Sequence, residues 1–83
     1  MNNRDAQLSV PIVQWEFERD RRHVMCAIHA AVTSGYEVAT VPLWDVGRTI
    51  LETFNSASAA LHRHAAIAAD LRDAGWTVTA YTA

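Results

Sequence analysis

One short pattern occurs twice in the chain and limits what it can fold into. Glycine, an aromatic residue, any residue and valine stand at residues 35–38 and again at residues 75–78. Each copy follows an alanine-containing run with helical character, and a glycine at that point is typical of the left-handed residue that ends a helix. The aromatic residue and the valine then alternate with other residues, which predicts the start of a strand. The repeat therefore predicts two β-α-β halves.

The first half is predicted to contain a strand, a helix and a second strand. Residues 10–17 alternate between apolar and polar side chains, which favours a half-buried strand. Asp20 is a suitable N-cap for a helix that ends at Ser34 and Gly35. One face of this helix would be apolar, with Val24, Ala27, Ile28, Ala31 and Val32 on it. The second strand is predicted over residues 36–41 and ends at Pro42.

Residues 45–54 allow two interpretations. Asp45 could cap a long helix that reaches Ala74. Gly47 is a poor residue early in a helix, however, and the β-branched and aromatic residues after it favour a strand. We therefore predict a turn over residues 44–47, a strand up to Phe54, a helix over residues 56–74 and a last strand over residues 76–82.

This order, βαββαβ, predicts the split βαβ or ferredoxin-like sandwich of the α+β class. In it a four-stranded antiparallel sheet carries two helices on one face. Residues 10–83 would form this single domain, after a frayed tail over residues 1–9. The predicted core consists of Val13, Trp15, Phe17, Val24, Ile28, Val32, Val38, Leu61, Ala68, Leu71 and Val78.

The composition is that of a soluble globular domain and disfavours some kinds of partner. The chain has 83 residues, 51% hydrophobic and 19% charged, which is ordinary for one soluble globular domain. Its formal charge of −2 disfavours nucleic acid and anionic membranes as partners. All seven basic residues are arginine, which together with the many alanines indicates a GC-rich bacterial genome.

The expected location is the cytoplasm. Residues 1–9 have no apolar signal-peptide core, and no apolar run is long enough to span a bilayer. Cys26 is the single cysteine, so no intrachain disulfide can form.

A first candidate site is an anion site at Arg21 and Arg22. Both would lie at the start of the first predicted helix, where free amides and the helix dipole attract anions. The alternative is a solvated charge run, because such runs usually lie on the surface.

A second candidate is a metal site formed by His23, Cys26 and His29. At i, i+3 and i+6 of a helix these residues would form one stripe, and imidazole and thiolate are suitable ligands for zinc, copper or nickel. The alternative is two surface histidines and a half-buried cysteine. No cofactor and no catalytic residue is predicted, since no known catalytic motif is present.

His64 is predicted to be buried, because it falls in the apolar stripe of the second helix between Leu61 and Ile67. A buried histidine needs a partner for at least one ring nitrogen. It would be either a satisfied core residue or a general base.

The uncovered face of the sheet is the last candidate. It is predicted to carry Gln14, Glu16, Glu37, Thr77, Thr79 and Tyr81, with Ala39, Val41 and either Leu51 or Ile50 adding apolar area. Glutamates at its centre do not fit the basic and aromatic pattern of RNA-binding sheets. The sequence thus favours a non-catalytic binding or protein-interaction module, possible as a homodimer through this face, over a small enzyme or metal-binding protein using histidine and cysteine.

Overall fold

A five-stranded antiparallel sheet forms the body of the protein, and one α-helix crosses one of its faces. A computed structural model describes residues 10–82. In chain order the described elements are the strands β1 (Val13–Arg19), β2 (Arg22–Ala30) and β3 (Tyr36–Pro42), the 3-10 helix η1 (Val46–Arg48), the strand β4 (Ile50–Phe54), the helix α1 (Ala57–Asp73) and the strand β5 (Thr77–Thr82). The strands lie in the order β4-β3-β2-β1-β5.

The prediction of a four-stranded ferredoxin-like sandwich with two helices is wrong. The residues predicted to form the first helix form strand β2 instead, and β1 and β2 pair as a hairpin in which Phe17 lies opposite Val24. Asp20 and Arg21 form the tip with φ of 52° and 68°. Two consecutive left-handed residues are what a tight two-residue hairpin turn requires, so Asp20 begins a turn and does not cap a helix.

The remaining predicted elements are found close to their expected positions. Strands β1, β3 and β5 overlap the predicted strands, and the helix predicted over residues 56–74 is α1. Residues 50–54 form a strand, so the alternative of one long helix from Asp45 is excluded. Ser56 caps α1 through its Oγ, which accepts a hydrogen bond from the amide of Ala59 at 3.1 Å. The predicted tail over residues 1–9 lies outside the described residues.

The core lies between the sheet and α1. Its buried residues come from β1, β2, β3 and α1: Phe17, Cys26, Ile28, Val38, Ala60, Ile67 and Ala68. Two members of the predicted core are exposed. Val32 is 92% exposed because it lies in the loop between β2 and β3, and Leu61 is 49% exposed because the buried stripe of α1 runs through its neighbour Ala60.

An irregularity in β5 changes which side chains face the helix. The register between β1 and β5 shifts between Glu16 and Phe17, so that Val78 lies opposite Phe17 but Tyr81 lies opposite Trp15. Residues three apart therefore share a face, which is the effect of a β-bulge. Tyr81, predicted on the open face, instead has its ring centroid 5.6 Å from that of Trp15 on the helix side.

Candidate functional site

The two arginines predicted to bind an anion lie at the tip of the β1–β2 hairpin. No helix begins there, so the amides and dipole on which that prediction depended are absent at this position. Arg21 is exposed in the turn, whereas Arg22 is the first residue of β2. The structure thus separates the two residues, and only Arg22 contributes to the cleft described next.

Three distant chain segments meet beside this hairpin tip and form a cleft of about 410 Å³. We call it the tryptophan cleft, and its lining residues are Arg19, Asp20, Arg22, Trp44 and Trp76. The rings of Trp44 and Trp76 are nearly parallel, with an interplanar angle of 11° and centroids 6.1 Å apart. The guanidinium carbon of Arg22 lies 4.9 Å from the centroid of the Trp44 ring, on its face. The cleft therefore combines a flat aromatic surface with a cation.

Backbone hydrogen bonds hold the tryptophans at this end of the sheet. The amide of Leu43 donates to the carbonyl of His23 at 2.9 Å and so continues the β2–β3 pairing up to Trp44. The amide of Trp76 donates to the carbonyl of Leu71 at 2.9 Å, which ties the start of β5 to the last turn of α1.

Arg19 fastens the hairpin to the C-terminal end of α1. Its Nη1 donates to the carbonyl of Ala74 at 2.8 Å, and its Nε lies 3.6 Å from Oδ2 of Asp20. A cation is favourable beside the last carbonyls of a helix. Arg19 is consequently committed to structural contacts, and it also offsets the charge of Asp20.

A second, more apolar cavity of about 260 Å³ is also lined by Trp44. Its walls come from β2, β3, β4 and α1, with Arg48 from η1 also contributing. Besides Trp44 and Arg48 the lining residues are Val24, Thr40, Pro42, Ile50 and Leu71. Trp44 is thus shared between a charged cleft and an apolar one.

The residues predicted to form a metal site do not share one face. In strand β2, Cys26 lies on the side of Val24 and Ile28, facing the helix, whereas His23 and His29 lie on the opposite side of the sheet. Cys26 is fully buried, and burial raises the pKa of its thiol to about 11, which disfavours the thiolate that metals bind. Within residues 10–82 there is no group of three or more His, Cys, Asp or Glu side chains arranged to hold a metal ion.

His64 lies inside the core at 5% exposure. Its Nε2 is 3.1 Å from the carbonyl oxygen of Cys26, and since a carbonyl only accepts, Nε2 carries the proton and donates it. Its ring meets the ring of Trp15 edge-on, at 81° and 5.7 Å between centroids. Burial lowers the pKa of His64, and the bond to the Cys26 carbonyl acts in the opposite direction. The histidine links α1 to β2 and has the surroundings of a satisfied core residue.

No described α-helix lies on the face of the sheet opposite α1. The apolar centre of this face is formed by Met25, Ala27, Ala39 and Val41 on the inner strands β2 and β3, with Leu51 beside them on the edge strand β4. Polar side chains surround them, and two histidines lie directly across a strand pair from glutamates, namely His23 opposite Glu18 and His29 opposite Glu37. We call this surface the open face. Its apolar centre and polar rim are the anatomy of a protein–protein interface.

The two tryptophans of the cleft are the functional candidates that the sequence prediction missed. The sequence predicts Trp44 in a turn and Trp76 at the start of a strand. The available signal is a tryptophan at a loop position two residues after Pro42, since a large aromatic residue is unusual where no core is expected. Its pairing with Trp76 depends on the order of strands in the sheet.

Comparison with known protein families, curated proteins and solved structures found no match to this chain. No helix in the described part of the chain combines the length and the apolar character needed to span a membrane. The interpretation of both surfaces therefore depends on their geometry alone.

Proposed function

We propose that the protein is a non-catalytic interaction module that pairs with a second copy of itself through the open face. The proposal is carried by a difference between the two faces of the sheet: one packs against α1 and the other does not. Helix α1 covers one face, and no described α-helix lies on the other. Of the five apolar residues on that second face, Ala27 and Ala39 are buried, Met25 and Val41 are half-buried, and Leu51 is exposed. Leu51 is 60% exposed there, so its burial by a partner would contribute favourable hydrophobic free energy.

The character of the rim favours a second copy as the partner. Two histidine–glutamate pairs flank the apolar centre, and no arginine lies among the paired residues of this face. A two-fold axis would place the same set of side chains opposite itself, so histidines of one copy could meet glutamates of the other. A chain of 9.2 kDa has a small core and gains stability when it buries more surface in a dimer.

The location proposed for this module is the cytoplasm. The single cysteine is compatible with a reducing compartment, where structural disulfides are rare. The low net charge and the acidic rim support a protein partner over nucleic acid or a membrane.

Sedimentation equilibrium of the intact chain tests the proposal. We expect a mass of about twice 9.2 kDa at micromolar concentration, and a monomer for Leu51→Glu, because a carboxylate would replace the most exposed apolar side chain of the proposed interface. Leu61→Glu is the matched control, since Leu61 has a similar exposure but lies on the outer side of α1.

A wild-type protein that stays monomeric up to millimolar concentration would refute the homodimer. Equal loss of dimer in Leu51→Glu and Leu61→Glu would show that the interface lies elsewhere.

A further inference from the structure

We propose that the tryptophan cleft and the adjoining apolar cavity bind a small organic carboxylate with a flat, apolar body. The site lies at the end of the sheet formed by the β1–β2 hairpin tip, Trp44 and Trp76. It uses none of the residues of the open face, so it does not depend on the homodimer. The site offers an available cation, a flat aromatic surface and a space of suitable size.

Arg22 supplies the cation. Its guanidinium lies over the face of Trp44, and among residues 10–82 its side chain makes no hydrogen bond or ion pair. Stacking on a ring leaves the N–H groups in the plane of the guanidinium free to donate. Such a fork matches the two oxygens of a carboxylate, and because the ring already fixes its plane, less side-chain entropy is lost on binding.

The net charge of the cleft is positive despite Asp20. Arg19 pairs with Asp20 at 3.6 Å and donates to the Ala74 carbonyl, so these charges largely cancel. What remains uncompensated in the lining is Arg22. Arg48, which lines the neighbouring cavity, likewise has no ion pair or side-chain hydrogen bond in the described chain. Two available cations therefore flank Trp44.

The tryptophans supply the surface for the body of the ligand. Trp44 is 46% exposed although it is a large apolar side chain, and its ring is nearly parallel to that of Trp76. A flat apolar group can contact these rings or enter the apolar cavity that Trp44 also lines. The cleft volume of about 410 Å³ lies within the range of small-molecule sites, and the cavity of about 260 Å³ offers additional space beside Trp44.

An NMR titration of the intact protein with 2-naphthoate tests this site. The chain has three tryptophans, so each indole N–H signal can be followed separately. We expect the signals of Trp44 and Trp76 to shift and saturate with a Kd on the order of 1 mM. Trp15 contacts Phe17, His64 and Tyr81 and does not line the cleft, so its signal should stay in place.

Two comparison compounds separate the contributions of charge and ring. Acetate carries the charge without the flat body, and 2-naphthalenemethanol carries the body without the charge. Each should bind at least about tenfold more weakly than 2-naphthoate, since each lacks one of the two contacts. Equal binding of either compound would overturn the proposal.

Two arginine variants locate the charge. Arg22→Gln should weaken 2-naphthoate binding about tenfold, because it removes the charge-assisted hydrogen bonds. Arg21→Gln removes the same charge one residue away, outside the cleft, and should change the affinity by less than about twofold. Equal losses in both variants, or unchanged Trp44 and Trp76 signals in the wild-type protein at ~10 mM 2-naphthoate, would overturn the site.

Discussion

The two copies of the glycine–aromatic–x–valine pattern end in the same way and begin differently. Gly35 and Gly75 both have left-handed backbone conformations, with φ of 86° and 97°, and a strand follows each of them. Gly75 comes after helix α1, as the pattern predicts. Gly35 instead closes the loop of the β2–β3 hairpin, where its carbonyl accepts a hydrogen bond from the amide of Ala31 at 3.0 Å. The pattern thus specifies the handedness of one residue and the strand after it, but not the element before it.

The surroundings of the two glycines also differ. A Cβ on Gly35 would lie 2.5 Å from the carbonyl oxygen of Phe54, a backbone atom of the neighbouring strand β4. At Gly75 the nearest atoms would be those of the Arg19 side chain, at 3.8 Å and beyond. Gly35 is therefore required both by its left-handed backbone and by the lack of room for a Cβ, whereas Gly75 is required by its left-handed backbone only.

Gly35→Ala is expected to have the largest effect on stability. Left-handed strain costs about 1–2 kcal/mol, and the displacement of β4 by the new methyl group adds about 1–3 kcal/mol. Urea unfolding should therefore show a loss of about 3 kcal/mol or more. A loss no greater than that of Gly75→Ala would mean that the contact with Phe54 is not rigid.

The aromatic residues that follow the glycines give the second comparison. Tyr36 and Trp76 are both partly buried and pack against the core. Truncation to alanine should cost about 2 kcal/mol in each case, below the values for fully buried aromatic residues. Only Trp76→Ala should shift the indole signal of Trp44, because Trp76 stacks on that ring. A shift of the same size in Tyr36→Ala would indicate that the two ends of the sheet are coupled.

The error in the first half of the sequence prediction has a physical cause. Val24 and Ile28 fit a helical stripe, but together with Cys26 they also fit the alternation of a strand. The two patterns cannot be separated in β2 because Ala27, on the opposite face, is fully buried as well. The hairpin turn at Asp20 and Arg21 contains no glycine, so the usual sequence signal for a two-residue turn is missing.

The second half was predictable because its local signals agree. Ser56 caps α1, alanines fill the helix, and Gly75 ends it in the left-handed conformation. The buried position of His64 follows from its spacing within that helix. The tryptophan cleft was not predictable, since it brings the tip of the β1–β2 hairpin together with Trp44 and Trp76 through a strand order that no local pattern specifies.

Gly75→Ala should have a smaller effect than either change above. The left-handed conformation costs alanine about 1 kcal/mol, and no close contact adds to it. Urea unfolding of this variant measures the conformational term alone. Its difference from Gly35→Ala then gives the contribution of the contact with β4. A loss above about 3 kcal/mol would contradict this division.

The smallest expected effect is a pH dependence of the free energy of unfolding that comes from His64. This histidine joins α1 to β2, since its Nε2 donates to the carbonyl of Cys26. Burial lowers the pKa of His64 in the folded protein, so the unfolded chain binds more protons near its ordinary pKa of about 6.5. This contribution to stability is complete above about pH 6.5 and declines as the pH falls through that value.

The measurement is urea unfolding between pH 7.5 and 5.5, a range of about one unit on each side of the ordinary histidine pKa. His64→Gln should remove part of the decline, and His62→Gln, at an exposed position of the same helix, should retain it. Identical pH profiles for the two variants would show that His64 does not gain its proton on unfolding.

The burial of Cys26 makes its thiol an intrinsic probe of local unfolding. The thiol is fully buried between β2 and α1 and is the single thiol of the chain. A thiol reagent can modify it only when the helix separates from the sheet, so under suitable conditions the rate of labelling measures how often that separation occurs. The mass added by the reagent to Cys26 would then measure the opening of the contact between β2 and α1 in every variant, and no additional cysteine would have to be introduced.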